Sequence, residues 1–220
     1  MNLPEPRNDP PSERRPLTFE EAEQMLLLCL DEQPLHRKAT LQSLAQLYGR
    51  SGRHDQAIAR LRELFALMED PELKAACALA MGGNAESMGD FAAAVIYYRE
   101  ALTFEPSQPD SWYFIHNNLG YSLNQLGQFM EGESLCRKAI TILPGRPNAH
   151  KNLGLALAGQ QRWREAATCY VEATRVRPSD PRSCVLLEEL LRDHAELQAE
   201  FRESARACRC QVDAARSGRN

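Results

Sequence analysis

From Thr18 to about residue 210 the apolar positions recur three and four residues apart, the spacing of one face of an α-helix. Breaks fall at prolines, at glycines and in short polar runs, so the pattern predicts a string of amphipathic helices joined by tight turns. The first begins at Thr18, where Thr18 and Glu21 form a capping-box pair, and runs to about Asp31. It contains the unbroken apolar run Met25 to Leu30. A membrane-spanning helix needs about 20 such residues, so no membrane insertion is expected. Residues 1–16 carry five prolines, many charges and almost no apolar anchor. Such a segment does not offset its own ordering entropy, and residues 1–17 are expected to be a disordered Pro-rich tail.

The helices repeat. Gly120 and Gly154, Ala139 and Ala173, and Pro144 and Pro178 are each 34 residues apart. An earlier copy ends at Pro106, and a more diverged one runs from Lys38 to about Asp70, with Ala57 where the others have Ala94, Gly132 and Ala166. Three copies carry the same set: Ala78, Met81, Gly82, Ala85, Ala94, Tyr98, Ala101 and Pro106; then His116, Leu119, Gly120, Leu123, Gly132, Cys136, Ala139 and Pro144; then His150, Leu153, Gly154, Leu157, Ala166, Tyr170, Ala173 and Pro178. This pattern resembles the tetratricopeptide repeat, a helix–turn–helix unit of 34 residues. The resemblance implies an all-α, right-handed α-solenoid with capping helices. It divides residues 18–210 into an N-terminal helix (18–33), repeats at about 38–70, 75–107, 110–146 and 147–180, and capping helices over 181–210, followed by a flexible tail at 211–220.

The spacing has a physical rationale. A small residue in the first helix and another opening the second let the two axes approach closely, and proline ends the second helix. One hairpin cannot bury its apolar face alone, whereas stacked hairpins can. A bulky residue at Gly120 or Gly154 is expected to overpack the contact, at a cost of about 1–3 kcal/mol. Pro106 and Pro144 are 38 residues apart, four more than the period, which is one additional helical turn. Repeat three should therefore have a lengthened first helix, capped by Asp110. After Pro178 a further helix should start with Asp180 as N-cap, and a last one should span about 195–210.

Composition narrows the function. The formal net charge is -4, which gives nucleic acid no general attraction. Trp112, Tyr113, Phe114 and Tyr121 could stack on bases, but Lys151 is the one nearby cation on the same expected surface, so no nucleic-acid partner is expected. The seven cysteines are odd in number and mostly lie inside helical stretches, which fits reduced thiols in a cytoplasmic protein. Four lysines against twenty-two arginines, with abundant alanine, point to a GC-rich bacterial genome. None of the common nucleophile, zinc-protease, P-loop or dinucleotide motifs occurs, so no enzyme activity, catalytic residue or cofactor is expected. His116 and His150 fall at packing positions, and Cys208 and Cys210 lack further ligands at metal spacing, so no metal site is expected.

What the resemblance implies is a binding face. First helices of successive tetratricopeptide repeats line a concave groove. By helical phase, Phe114, Asn117, Asn118, Tyr121 and Asn124 point there from repeat three, and Asn148, Lys151 and Asn152 from repeat four. Repeat one offers Gln42, Ser43 and Gln46; repeat two offers the small residues Ala76, Ala80 and Gly83. An asparagine amide carries donors and acceptors that can hold an extended peptide backbone. Asn118 and Asn152 occupy the same repeat position, similar to the asparagine ladder of O-linked N-acetylglucosamine transferases. The family's two-carboxylate clamp is not matched: Gln42 and Gln46 stand where it needs a lysine and an asparagine. The expected function is a non-catalytic scaffold, an adaptor or assembly factor, that holds an extended segment of a protein or peptide partner. It would be a monomer or a weak homo-oligomer. The alternatives are a structural self-associating module and the non-catalytic subunit of an enzyme complex.

Overall fold

The computed structural model describes residues 16–217. The disorder expected for 1–17 thus falls almost wholly outside the described residues, as do 218–220 of the tail expected at 211–220, whereas 211–217 are described and helical. Among those described there are eleven α-helices and no strand. They are α1 (Phe19–Glu32), α2 (Arg37–Arg50), α3 (His54–Leu67), α4 (Pro71–Ser87), α5 (Phe91–Leu102), α6 (Pro109–Gln125), α7 (Phe129–Ile142), α8 (Pro147–Gly159), α9 (Trp163–Val176), α10 (Arg182–Asp193) and α11 (Gln198–Ser217). Consecutive helices pack as hairpins α2–α3, α4–α5, α6–α7 and α8–α9, and each hairpin stacks on the next. The chain is an α-solenoid, as the 34-residue period predicts.

Local chemistry sets the boundaries. Thr18 accepts from the Glu21 amide while Glu21 Oε2 accepts from the Thr18 amide, closing the capping box of α1. Asp70 and Asp90 cap α4 and α5. Pro71, Pro109 and Pro147 each occupy a first helical turn, where the missing N–H is not needed. The turn inside every hairpin requires one left-handed residue: Gly52 (φ 77°), Gly89 (φ 78°), Gly127 (φ 75°) and, in the fourth hairpin, Gln161 (φ 61°). Within the hairpins, Gly82 faces Tyr98 and Gly154 faces Tyr170. A Cβ at Gly154 would lie 2.7 Å from the Tyr170 Cδ1 and closer still to Cε1. At Gly120 the neighbours are Cys136 and the Gly132 carbonyl.

Three expectations need correction. The first helix of repeat three, at 17 residues, is one turn longer than that of repeat four but no longer than that of repeat two, and its N-cap is Gln108, not Asp110. Asp110 is drawn away by Arg146, which it meets at 2.5 Å. Helix α10 begins at Arg182 with Pro181, not Asp180, at its N-cap, and Asp180 accepts the Arg182 amide from one residue further out. The last helix does not end near 210: it continues to Ser217 because Val212 is fully buried against the final hairpin. Among the described residues all seven cysteines are free thiols, four of them buried, and burial pushes the Cys136 thiol up to about 12.

Candidate functional site

The first helices of neighbouring hairpins form one wall of the solenoid, with α4 packing on α6 and α6 on α8. That wall has two unlike halves. In the half built from α4, α6 and α8, polar side chains bond to one another across the helices. Ser122 Oγ donates to Glu86 Oε1 at 2.6 Å. Asn152 Nδ2 donates to Asn117 Oδ1 at 3.1 Å, Asn117 Nδ2 to Asn118 Oδ1 at 2.8 Å, and Asn124 Nδ2 to the Asn152 carbonyl at 2.9 Å. Burial holds the Glu86 carboxyl above its ordinary range, against the opposing pull of the Ser122 hydrogen bond.

The expected groove residues therefore divide. Asn117, Asn124 and Asn152 are buried in the seam between α6 and α8 and are not free for a ligand. Asn124 points at the α6–α7 contact, where a Cβ on Gly132 would collide with its Oδ1. Asn118, Tyr121, Asn148 and Lys151 are half-buried, and Phe114 is exposed. Tyr121 rests edge-on against Phe91 of the neighbouring hairpin. Phe114 lies under the Arg146 guanidinium, 5.5 Å from its ring centre. Burial lowers the Lys151 pKa, and the nearby Arg182 lowers it further. His116 is buried, stacks on Trp112 and donates from Nδ1 to the Trp112 carbonyl at 2.8 Å, a packing role.

The other half of the wall is open. Helices α2 and α4 stand apart, and between them runs a cleft of about 500 Å³, within the size range of ligand-binding cavities. Its floor is Leu61 and Leu64 of α3 and Met68 at that helix's C-cap. Ala45 on one side and Leu73, Ala76 and Ala80 on the other form its walls. Gln42, Gln46 and Arg50 rim it from α2. One end is closed where Gly49 faces Asn84, whose Oδ1 also accepts from His54 Nδ1 at 2.9 Å. The lining contains no aspartate or glutamate, and Arg50 makes no ion pair among the described residues. Helical phase identified Gln42, Gln46, Ala76, Ala80 and Gly83 as inward-facing. What it missed is that the short side chains of α4 leave a cavity over the apolar residues Leu61 and Leu64 of α3.

Models of the tetratricopeptide repeat match residues 40–75, 77–108 and 149–182. The chain is a tetratricopeptide-repeat protein. Two curated relatives carry the same signal. Small glutamine-rich tetratricopeptide repeat-containing protein 2 of Mycosarcoma maydis is 32% identical over 101 residues, 46% of this chain and 28% of that one. The BBSome complex member BBS4 homolog of Drosophila melanogaster is 24% identical over 207 residues, 94% of this chain and 41% of that one. The repeat protein thus spans less than half the length of either relative. Among solved structures, BtubC from P. vanneervenii superposes with a TM-score of 0.69 at 19% identity, covering 92% of this chain and 89% of that one. A MamA fragment from Desulfovibrio magneticus RS-1 gives 0.63 at 17% identity, with 83% and 97% covered. At these identities the likeness is one of fold. The repeats mark a protein-interaction scaffold. Nothing in this family match indicates catalysis, and among the described residues no helix is long and apolar enough to cross a membrane.

Proposed function

We propose that this scaffold holds an apolar segment of a partner protein in the cleft between α2 and α4. The observation that carries this reading is the cleft itself: an open, apolar cavity on the wall made of first helices, with polar amides and one arginine at its rim. Apolar side chains of the partner would cover Leu61, Leu64 and Met68, while Gln42, Gln46 and Asn84 could bond its backbone. Arg50 favours a carboxylate at the adjoining end of the segment. Phe114, Asn118, Tyr121, Asn148 and Lys151, further along the same wall, are secondary contacts for a longer segment. The buried Asn117, Asn124 and Asn152 act on binding by holding α6 to α8. The Drosophila relative, named as a member of a complex, is consistent with an assembly role.

Ala76 is exposed on the cleft wall, and tryptophan there fills the cavity without entering the core. The test is retention of proteins from native extract by the wild type, by Ala76→Trp and by Thr168→Trp, an exposed position on α9 away from the cleft. A peptide cut from the retained partner is then titrated against each. Ala76→Trp should weaken binding at least tenfold with an unchanged thermal melt, and Thr168→Trp should bind as the wild type does. Equal affinity for all three would place the partner elsewhere.

A further inference from the structure

The solenoid carries at its N-terminal edge a helix that matches its own cleft. Helix α1 packs on α2 through Phe19, Leu26 and Leu30. Yet Met25 and Leu28, one turn apart, remain 50% and 51% exposed, and Leu27 36%. Large apolar side chains grouped on the exposed face of a helix mark an interaction surface. The same helix is acidic. It carries five carboxylates and no lysine or arginine, and Glu20, Asp31 and Glu32 are exposed. The cleft has the complementary chemistry: an apolar floor, no carboxylate in its lining and an Arg50 that makes no ion pair among the described residues. Lengths agree too. At 1.5 Å per residue, α1 is about 21 Å long, and the cleft wall from Leu73 to Ser87 of α4 is about 22 Å.

We infer that α1 of one copy docks its Met25–Leu28 face into the α2–α4 cleft of a second copy, so that the protein assembles head to tail. This inference rests on reading the cleft as a binding surface. Donor and acceptor are different surfaces of one molecule, so the contact is heterologous, and successive copies add to an open chain or close into a ring. The docked helix fills the cleft, so assembly and partner binding exclude one another at that position. A partner of higher affinity therefore dismantles the assembly.

The test uses the full chain in sedimentation velocity, from low micromolar to hundreds of micromolar. The wild type should show a mass that rises with concentration past the dimer. Met25→Asp with Leu28→Asp removes the donor face, and Ala76→Trp blocks the acceptor. Both change exposed side chains, and circular dichroism melts confirm that each variant is folded. Each variant alone should stay monomeric, and an equimolar mixture should form a heterodimer and stop there. Arg50→Glu should weaken wild-type assembly at least fivefold, and added salt should narrow that difference. A wild type that stays monomeric throughout, or a mixture that does, overturns the inference. Dimers of the acceptor-blocked variant alone also overturn it, because they would reveal an α1–α1 contact. Partner binding is measured separately on the donor-face variant, whose cleft is intact. Failed self-assembly with retained partner binding rejects the head-to-tail contact alone; the reverse rejects the partner site alone.

Discussion

Gly154→Ala should destabilise a helix that alanine would normally strengthen. Replacing a helix-interior glycine by alanine is worth about 1 kcal/mol in propensity. Here the new Cβ would lie 2.7 Å from the Tyr170 Cδ1, whereas carbon atoms rest about 3.5–4.0 Å apart. Either the ring or the whole of α9 must then retreat by about 1 Å. The ring is 2% exposed and wedged in the core with Leu153, Leu157 and Leu187, so it has no empty rotamer to enter. Overpacking of this kind costs about 1–3 kcal/mol. Set against the propensity gain, the net loss should be up to about 2 kcal/mol, read as a lower urea midpoint at constant slope in far-UV circular dichroism. The sign should reverse in a Tyr170→Ala background, where the added methyl enters vacated space and alanine stabilises by about 1 kcal/mol. An increase in midpoint for Gly154→Ala in the wild type would refute the close-contact argument. The same loss in both backgrounds would show that the ring is not the cause.

Two further outcomes follow from the turns and the buried carboxyl. Gln161 holds a left-handed conformation that glycine occupies in the other three hairpins; that region costs an L-residue about 1–2 kcal/mol, partly offset by the greater unfolded-state freedom of glycine. Gln161→Gly should therefore raise stability by about 0.5–1 kcal/mol in thermal melts and Gly127→Ala should lower it by a similar amount, whereas parallel changes in the two would contradict the strain. Burial raises the Glu86 pKa above its ordinary 4.5, so its contribution is complete below that value and is lost as pH climbs through the folded-state pKa. Glu86→Gln retains an acceptor for Ser122 and should raise the melting temperature at pH 7 with little effect near pH 4; equal shifts at both pH values would rule out the charge as the cause.

The solenoid was legible because its determinants are local. The 34-residue spacing, the small residues at Gly82, Gly120 and Gly154, and the Thr18–Glu21 capping box act within one hairpin or one helix turn. The additional turn in α6 was readable by counting. Its cap was not, because Asp110 has a choice between its own helix and Arg146, 36 residues away. The end of α11 depends in the same way on a burial partner for Val212 that lies outside the helix. The site was less legible for a related reason. Helical phase places Asn117, Asn124 and Asn152 on the inward side of their helices, but it does not say how closely the next helix approaches. Since α8 packs directly on α6, the Nδ2 donors of those amides are taken up by Asn-to-Asn and Asn-to-backbone bonds.

The two halves of the wall show one residue class acting in opposite ways. Gly82 and Gly154 are small because a tyrosine ring from the second helix occupies the space a side chain would need, so the vacancy is filled from within the hairpin. Ala76, Ala80 and Gly83 are small on the other side of α4, where α2 stands too far away to fill the space. The difference lies in the neighbour, and the neighbour is set by the spacing of first helices. Between α6 and α8 an amide seam draws the helices together, and a buried, hydrogen-bonded amide is expensive to release. Between α2 and α4 the corresponding tie is Asn84, bonded to His54 and placed at one end against Gly49. A wall pinned at one end and unpinned along its length can hold an apolar insert without breaking buried polar bonds. The seam offers no such vacancy, since an insert there would have to replace each amide partner in turn. Under the proposed function, binding free energy in this solenoid is concentrated at the first two repeats, and the third and fourth supply the frame beside that cleft.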